Sequence, residues 1–447
     1  MRRPVSRTAF WCRDGSNEQR GAPTAGRVMT GTLPSLADAG WLHDAALQAV
    51  LEMLDSDREE ARIVGGAVRN ALIGEPIGDV DIATTALPDE VLRRAAAAGL
   101  KAVPTGIDHG TVTVVSGGHG FEVTTLRRDV ETHGRHATVA FGRDWAEDAH
   151  RRDFSMNAIY ADREGRLHDP VAGYADALAR HVRFIGDATT RIREDYLRIL
   201  RFFRFHAAYG RGDPDREGFL AAIRERDGLR RLSAERIGAE MRRLVTAPRA
   251  PETVQIMSEA GLLEIVLAAV PQIGAFSRLR AIIEAHGIPA HPARALAAVG
   301  ALVEEDAERI ADRLRLSNAD REAIGGAVKL ARVIDPNDSP VIARQLIYRH
   351  GNDRFRDAVL IAWARARAEP DDPAWSTLLD LSLRWHRPEF PFTGRDVLTL
   401  GVKPGTDVGA ILSATERWWI DADFPEARDR LDEALAECAR QRTAGRS

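Results

Sequence analysis

The segment 63–84, which reads IVGGAVRNALIGEPIGDVDIAT, constrains this chain more than any other. After a short apolar, strand-like start it carries a glycine pair, an arginine and two aspartates, at Gly65, Gly66, Arg69, Asp79 and Asp81. Side chains at positions i and i+2 of a strand leave the same face, so the two aspartates stand side by side if this part is extended. Adjacent carboxylates repel each other unless a cation lies between them, although Asp-x-Asp is also common in solvated turns.

The residues before the aspartates predict an anion site. Two glycines allow the backbone to approach a bulky anion with its N–H groups exposed, and Arg69 adds a fixed positive charge. Together with the carboxylate pair, they predict a triphosphate held beside Mg²⁺. Asp79 and Asp81 are then the metal ligands for an in-line displacement at phosphorus.

Length and composition limit the classes of protein. A chain of 447 residues is longer than one typical core and predicts two or more domains. Its net charge is −4, so any polyanion site must depend on a local arginine cluster. Cys12 and Cys438 lie at opposite ends, which favours a reducing, cytoplasmic setting. No apolar run approaches the roughly 18 residues of a membrane span. Residues 1–28, basic and without periodicity, are interpreted as a disordered leader.

Apolar periodicity after the leader predicts a small α/β unit. Two helices and a hairpin are expected, at 41–55, 88–100 and 111–126. Glu122 alternates with apolar neighbours in the second hairpin strand. It is either a third carboxylate near Asp79 and Asp81 or a solvated glutamate. The polar segment 127–145 is interpreted as a mobile loop beside the site.

Two arginine-containing segments follow. In RRDFSMNA, Arg152 is a candidate for phosphate contact, and Asp153 or Asn157 for a hydrogen bond to a ribose hydroxyl. The alternative is that Asp153 caps a helix. In the segment 189–209, Asp195, Arg198, Arg201 and Arg204 recur every third residue. On one helix the first three share a face and Arg204 drifts off it.

The second segment has two interpretations. The spacing suits ion pairs on a solvated helix face. It also suits recognition of a base, because a carboxylate accepts from an exocyclic amino group while a guanidinium donates to a ring nitrogen. Cytosine and adenine present that edge, whereas guanine and uracil do not. An Asp–Arg pair would therefore accept CTP and ATP and reject GTP and UTP.

Five motifs now stand in order: GGAVRN with DVD, RRDFSMNA, DPVAGYADA, EDYLRILRFFRF and LSAERIGAEM. They closely resemble the class II tRNA nucleotidyltransferases, which comprise CCA-adding enzymes and bacterial poly(A) polymerases. The resemblance covers about 63–241. It implies an α+β fold, with an N-terminal nucleotidyltransferase (polymerase beta-like) α/β head domain at 29–176. An all-helical neck at 177–250 and a helical body and tail at 251–447 that bind tRNA would follow.

The resemblance also implies residue roles. Asp79 and Asp81 would be the catalytic, metal-binding pair, and Asp195 with Arg198 the protein template for the base. The nucleotide-binding residues would be Gly65, Gly66, Arg69, Arg152, Asp153, Asp195, Arg198, Arg201 and Arg204. The segment 127–145 matches a loop that family members use when switching from C to A addition. One departure is Asn70, where the family commonly has Asp, so an ionic role at this position is in doubt.

The expected function is template-independent addition of CCA to tRNA 3′ ends with CTP, ATP and Mg²⁺. Partners other than tRNA and nucleotides are not predicted, and neither is a membrane. Alternatives are a poly(A) polymerase, a transferase that adds only CC or only A, a transferase acting on a small molecule, and a non-catalytic RNA-binding protein. The remaining chain is predicted helical, for example at 254–270 and 293–303. A turn is expected between two helices in 391–412. Trp418 and Trp419 are expected to be core or helix-packing residues and not a platform for base stacking.

Overall fold

The computed structural model describes residues 33–133 and 136–444, so the predicted leader lies outside the described residues. The strands it describes are β1 (Ala61–Val64), β2 (Asp81–Thr84), β3 (Lys101–Gly106), β4 (Thr111–Ser116), β5 (His119–Thr125), β6 (Arg127–His133), β7 (His136–Phe141), β8 (Tyr160–Ala161) and β9 (Leu167–His168). Seven of them form one sheet in the order β3-β4-β5-β2-β1-β8-β9.

The centre of this sheet fixes the position of the aspartates. Strand β1 pairs antiparallel with β2, and β2 pairs parallel with β5. Apolar side chains on these strands, such as Ile63, Ile82 and Val123, are fully or almost fully buried. Because their burial fixes the register, Asp81 lies opposite Glu122 at the end of β2.

The predicted hairpin is confirmed. Strands β4 and β5 pair antiparallel down to Ser116 and His119, with Gly117 and Gly118 as the two turn residues. Their φ values of 57° and 83° lie in the left-handed region that glycine adopts without strain.

The interpretation of 127–145 as a loop is wrong. Strands β6 and β7 pair antiparallel as a second hairpin, followed by a short helix from Trp145. Polar residues alternate here with β-branched and aromatic ones, which suits strands despite the many charges. The alternative role of Asp153 as a helix cap is wrong too. The helix ends at His150, before Asp153, and the next element is a 3₁₀ turn over Ser155–Asn157.

The N-terminal half contains nine helices within the described residues. They are α1 (Ala45–Leu54), α2 (Gly66–Ile73), α3 (Pro88–Ala97), α4 (Trp145–His150), α5 (Gly173–Leu178), α6 (Ala188–Glu194), α7 (Leu197–Tyr209), α8 (Arg216–Arg224) and α9 (Ala234–Leu244). Helices α1 and α3 correspond to the two predicted ones, each ending earlier than expected.

The segment 189–209 is two helices. The chain leaves α6 at Asp195, where φ is −153° and ψ is 106°. The Asp195 carboxylate accepts a hydrogen bond from the backbone N–H of Leu197 at 3.1 Å, at the start of α7. A short acidic side chain competes in this way with helical hydrogen bonds, which explains the break. The prediction that Asp195 shares one continuous helix face with Arg198 and Arg201 is therefore wrong.

The C-terminal half is helical, as predicted. Its described helices are α10 (Ala250–Glu259), α11 (Leu263–Leu267), α12 (Ile273–Ala285), α13 (Pro292–Gly300), α14 (Glu304–Arg313), α15 (Asn318–Ala331), α16 (Pro340–His350), α17 (Asn352–Ala366), α18 (Pro373–Arg384), α19 (Gly394–Thr399), α20 (Thr406–Asp421) and α21 (Arg428–Ala444). The predicted helix 254–270 is divided between α10 and α11 at Gly261, whose φ of 67° ends the first.

One core runs through the sheet and the helices up to α18, and a second lies in the tail. A smaller third cluster, which includes Val64, Ala83 and Tyr160, lies beside α4. Trp419 is buried in the second core and contacts Tyr348 edge to face, as the core prediction requires. Gly401 lies in the expected turn between α19 and α20. The α+β fold is confirmed. None of the described helices has the length and apolarity needed to cross a membrane.

Candidate active site

A cavity of about 680 Å³ lies between the start of β2, the start of α2, and helices α7 and α9. It brings together every predicted catalytic and nucleotide-binding residue, from segments far apart in the chain. These are Gly65, Gly66, Arg69, Asp79, Asp81, Arg152, Asp153, Asp195, Arg198, Arg201 and Arg204. Sequence reasoning missed further lining residues, namely Gly78, Leu197, Phe205, Tyr209, Arg236 and Arg243.

Asp79 and Asp81 lie at the floor of the cavity. Asp79 stands just before β2, and Asp81 is its first residue. Burial raises the pKa of Asp81 to about 6, helped by repulsion from Glu122 and Asp79 and opposed by Arg152. The side chain is accessible to water within the open cavity, but protein atoms surround it on most sides. Glu122 is thus close enough to act on Asp81, although it is not part of the cavity wall.

The glycine pair forms the turn from β1 into α2. Gly65 has a φ of 77°, which a larger residue would adopt only with strain. A Cβ at this position would lie 4.0 Å from an Asp81 carboxylate oxygen. The turn therefore directs the first N–H groups of α2, which lack intrahelical partners, to the same cavity as the aspartates.

Arg69 connects three parts of the site. Its Nη1 donates to Asn157 Oδ1 at 2.6 Å, and its Nε and Nη2 donate to Asn70 Oδ1 at 3.1 and 2.8 Å. Its guanidinium stacks 3.7 Å from the centre of the Tyr209 ring on α7. The neutral Asn70 keeps the hydrogen bonding without an ion pair. Of the five N–H donors of Arg69, these contacts leave about two for an anion.

The RRDFSMNA motif contributes two fixed charges. Arg152 donates to Asp148 Oδ2 at 3.2 and 3.0 Å and to the Tyr160 hydroxyl. Burial alone would raise the pKa of Asp148, but the charges of Arg152 and Arg151 outweigh it and hold that pKa below its usual range. The cation that faces Asp81 is therefore held in place by a buried carboxylate.

Asp153 is held by Arg201 of α7. Two hydrogen bonds of 2.8 and 2.5 Å run from the guanidinium to Asp153 Oδ2. Burial opposes ionisation of Asp153, yet Arg201 keeps its pKa below the usual range. Arg204 likewise pairs with Glu240 of α9. These arginines are therefore not part of a solvated surface helix, and Arg204 lines the cavity despite its predicted drift.

The i,i+3 ion pair between Asp195 and Arg198, which the surface-helix alternative requires, is not formed. Arg236 of α9 instead donates to Asp195, Nη1 to Oδ1 at 3.1 Å and Nη2 to Oδ2 at 2.6 Å. Arg198 pairs with Glu194 and donates to the Arg191 carbonyl at 2.7 Å. Both template candidates still line the cavity. The sequence signal for Arg236 was its place in LSAERIGAEM, a motif to which no residue role was assigned.

A metal would need ligands beyond these side chains. Among the residues that the structure describes, no group of three or more His, Cys, Asp or Glu side chains is arranged to hold a metal ion. Two carboxylates beside a phosphate-sized cavity do suit Mg²⁺, which commonly takes one or two carboxylates and completes its shell with phosphate oxygens and water.

Comparisons with known proteins agree with this geometry. Residues 61–183 match the family model "Poly A polymerase head domain", and residues 217–275 match "Probable RNA and SrmB- binding site of polymerase A". The chain is 34% identical over 402 residues to the mitochondrial CCA tRNA nucleotidyltransferase 1 of Danio rerio, covering 88% of this chain and 90% of that protein. It is 42% identical over 222 residues to the CCA-adding enzyme of Geobacillus thermodenitrificans, which is 48% of this chain and 52% of that enzyme.

Solved structures extend the likeness to the fold. The Bacillus stearothermophilus CCA-adding enzyme in complex with CTP is 28% identical with a TM-score of 0.69, covering 90% of this chain and 98% of that one. The Thermotoga maritima enzyme complexed with tRNA, at 18% identity and a TM-score of 0.61, supports the fold alone. The chain is an enzyme and belongs to the family of class II CCA tRNA nucleotidyltransferases, the CCA-adding enzymes.

Proposed function

We propose that this enzyme adds C, C and A to the 3′ ends of tRNA without a nucleic-acid template, using CTP and ATP and releasing pyrophosphate. One observation carries the proposal. A carboxylate pair suited to phosphoryl transfer and a carboxylate–guanidinium group suited to base selection line the same cavity. The relative solved with CTP, at 28% identity over most of both chains, supports the same assignment.

The phosphate end of the nucleotide would bind at the head. Gly66 at the start of α2, Arg69 and Arg152 all line the cavity. The free N–H groups of that helix end, two donors of Arg69 and the Arg152 guanidinium would bind the phosphates. Asp79 and Asp81 would hold Mg²⁺, which when bound offsets the charge of the attacking and leaving oxygens. The tRNA 3′ hydroxyl would attack the α-phosphate in line with the departing pyrophosphate, whose charge Arg69 and Arg152 would help to neutralise.

Glu122 is proposed as a supporting carboxylate. It lies opposite Asp81 in the parallel β2–β5 pair, and its charge raises the pKa of Asp81. A more negative site holds a divalent cation more tightly. Glu122 would therefore increase Mg²⁺ affinity without contacting the nucleotide.

The base end would bind at α7. Asp195 would accept from the exocyclic amino group of cytosine or adenine, and Arg198 would donate to the neighbouring ring nitrogen. Guanine and uracil would place a carbonyl against the carboxylate and leave buried polar groups unpaired, at about 1–3 kcal/mol per mismatch. Arg201 and Arg204 would contribute positive charge around the nucleotide, and Asp153 a hydrogen bond to the ribose.

The domain assignment remains part of the proposal. The head at 29–176 would carry the phosphate site, the neck at 177–250 the base site, and the body and tail at 251–447 would hold tRNA by its shape and backbone. Affinity for tRNA should then fall steeply with salt. A cytoplasmic location is also proposed, from the sparse and separated cysteines. Some relatives are named as mitochondrial, so cell fractionation of the tagged protein tests it.

The deciding experiment supplies labelled CTP and ATP, separately and together, to tRNA transcripts ending before CCA, after C and after CC. Growth to a complete CCA that then stops is the expected result. Addition of C alone or A alone would show a split pathway, and a long A tail on an unrelated RNA would show a poly(A) polymerase. Either would overturn the proposal.

A further inference from the structure

Helix α9 contributes Arg236 and Arg243 to the lining of the cavity, and neither has a role in the function above. Arg236 pairs with Asp195, and Glu240, one helical turn further on, pairs with Arg204. The inference below concerns Arg236 and rests on the proposed function, in which Asp195 accepts from the base.

The hydrogen bonds to Asp195 leave its carboxylate little freedom. A carboxylate offers about four acceptor positions, two on each oxygen. Oδ1 accepts from Arg236 Nη1 and from the backbone N–H of Leu197, each at 3.1 Å, and is saturated. Oδ2 accepts from Arg236 Nη2 at 2.6 Å, which leaves it one position. A base amino group therefore meets a single acceptor position with a fixed direction.

Helix α9 is rigid enough to serve as this support. On the neighbouring face of the helix Ile237, Met241 and Leu244 are completely buried. A Cβ at Gly238 would lie 2.1 Å from the Leu314 carbonyl oxygen, so the helix packs directly against the backbone of α14's C-terminus. Arg236 and Asp195 are about one-fifth exposed, which leaves the pair accessible from the cavity while its geometry is restrained.

We propose that Arg236 is a positioning residue that sets base selectivity. It locks Asp195 by a two-pronged ion pair, so that one acceptor position on Oδ2 faces the amino group of cytosine or adenine. Without Arg236 the Asp195 carboxylate could rotate away from the base and accept hydrogen bonds from water. The free-energy cost of binding uracil or guanine, whose carbonyl faces Asp195, would then fall. The bidentate geometry needs the planar guanidinium fork and is not provided by a point charge.

The test measures kcat/KM for CTP, ATP, UTP and GTP with wild-type enzyme, R236A and R242A. Arg242 lies on the same helix and pairs with Asp320 on α15, away from the cavity, so R242A controls for loss of an ion pair on α9. We expect R236A to lower the preference for CTP over UTP about tenfold, through a lower KM for UTP together with a higher KM for CTP. R242A should keep the wild-type ratio. Unfolding of each variant is followed by circular dichroism, and R236Q replaces R236A if the latter does not fold.

A double-mutant cycle tests whether Arg236 affects base selectivity through Asp195. If Arg236 acts through Asp195, adding R236A to D195A should change the CTP:UTP ratio no further. An unchanged ratio in R236A, or equal effects of R236A with and without Asp195, would overturn the inference. Failure of the wild-type enzyme to add C to tRNA would instead overturn the proposed function, so the two failures are distinguishable.

Discussion

The Arg69 guanidinium donates a 2.6 Å hydrogen bond to the Asn157 side chain, which joins the glycine-rich turn of the head to the RRDFSMNA motif 88 residues away. Both side chains are buried, Arg69 at 4% and Asn157 at 8% exposure. The cation proposed to bind phosphate is thereby held in one orientation before any nucleotide binds.

Replacing Asn157 with Ala should weaken this arrangement. The buried Nη1 of Arg69 would lose its partner, so we expect a loss of about 1–3 kcal/mol in the free energy of unfolding. The KM for CTP and ATP should rise by similar factors, because phosphates are common to both. Denaturant unfolding and steady-state kinetics provide the two measurements. A change in KM for one nucleotide alone would contradict a phosphate-side role.

Asp81→Asn should abolish nucleotide incorporation and yet stabilise the metal-free protein at pH 8. The folded-state pKa of Asp81 is raised to about 6, so the fold disfavours the ionised carboxylate above that pH. Removing the charge should raise the free energy of unfolding by about 1 kcal/mol. The gain is small because water reaches the side chain and screens its charge. The gain should disappear below pH 4, where the carboxyl is protonated in both states.

Thermal unfolding with and without MgCl₂ tests the metal site without relying on activity. Mg²⁺ should raise the Tm of the wild-type protein and of the exposed control Asp38→Asn, but not of Asp81→Asn. An equal Mg²⁺ response in all three proteins would remove Asp81 from the metal site.

His206 on α7 should make the protein sensitive to acid. It is 2% exposed, and burial, aided by the charge of Arg249, lowers its pKa to about 4. The folded state thus favours the neutral ring, and stability present above pH 6.5 is lost as the pH falls towards 4. Over this pH range the free energy of unfolding of His206→Gln should fall less than that of the wild-type protein, by a difference of the order of 3 kcal/mol. The exposed His119→Gln is the matched control, and equal acid profiles for both variants would refute the assignment.

The base of the β6–β7 hairpin is anchored by Arg143, whose Nη1 donates to both oxygens of Glu59 at 2.7 Å. The resemblance assigns this segment to the switch from C to A addition. Arg143→Ala should therefore slow A addition to tRNA ending in CC more than C addition to tRNA lacking CCA. Arg166→Ala, which removes another surface ion pair of the head, should affect neither. Equal slowing of both steps by Arg143→Ala would count against a switching role.

Gly228 should tolerate no side chain. A Cβ there would lie 1.9 Å from the Tyr196 ring, next to the break at Asp195. Gly228→Ala should force Tyr196 aside, cost about 1–3 kcal/mol of stability and impair base selection. Gly325→Ala in the middle of α15, where a Cβ meets no atom within 4 Å, should instead stabilise the protein by about 0.5–1 kcal/mol. Urea unfolding compares the two, and comparable stability changes would contradict the packing argument.

The sequence by itself determined the aspartates at the start of β2, the glycine turn, the β4–β5 hairpin and the helical second half. Each depends on local information, such as the alternation of side chains on a strand or the positive φ that only glycine adopts easily. The motif order also indicated the family correctly, and all predicted catalytic and nucleotide-binding residues lie around one cavity.

Only the tertiary structure decided which charges pair. Spacing placed Asp195 and the three arginines on one helix, whereas the chain breaks at Asp195 and its partner is Arg236, 41 residues away. Likewise Arg201 pairs with Asp153 across 48 residues. Ion pairs of this kind depend on how α7, α9 and the head pack, and that packing is set by buried apolar surface over the whole core. Sequence spacing does not show which distant residues form an ion pair, because any arginine that reaches a carboxylate can form the same hydrogen bonds with it.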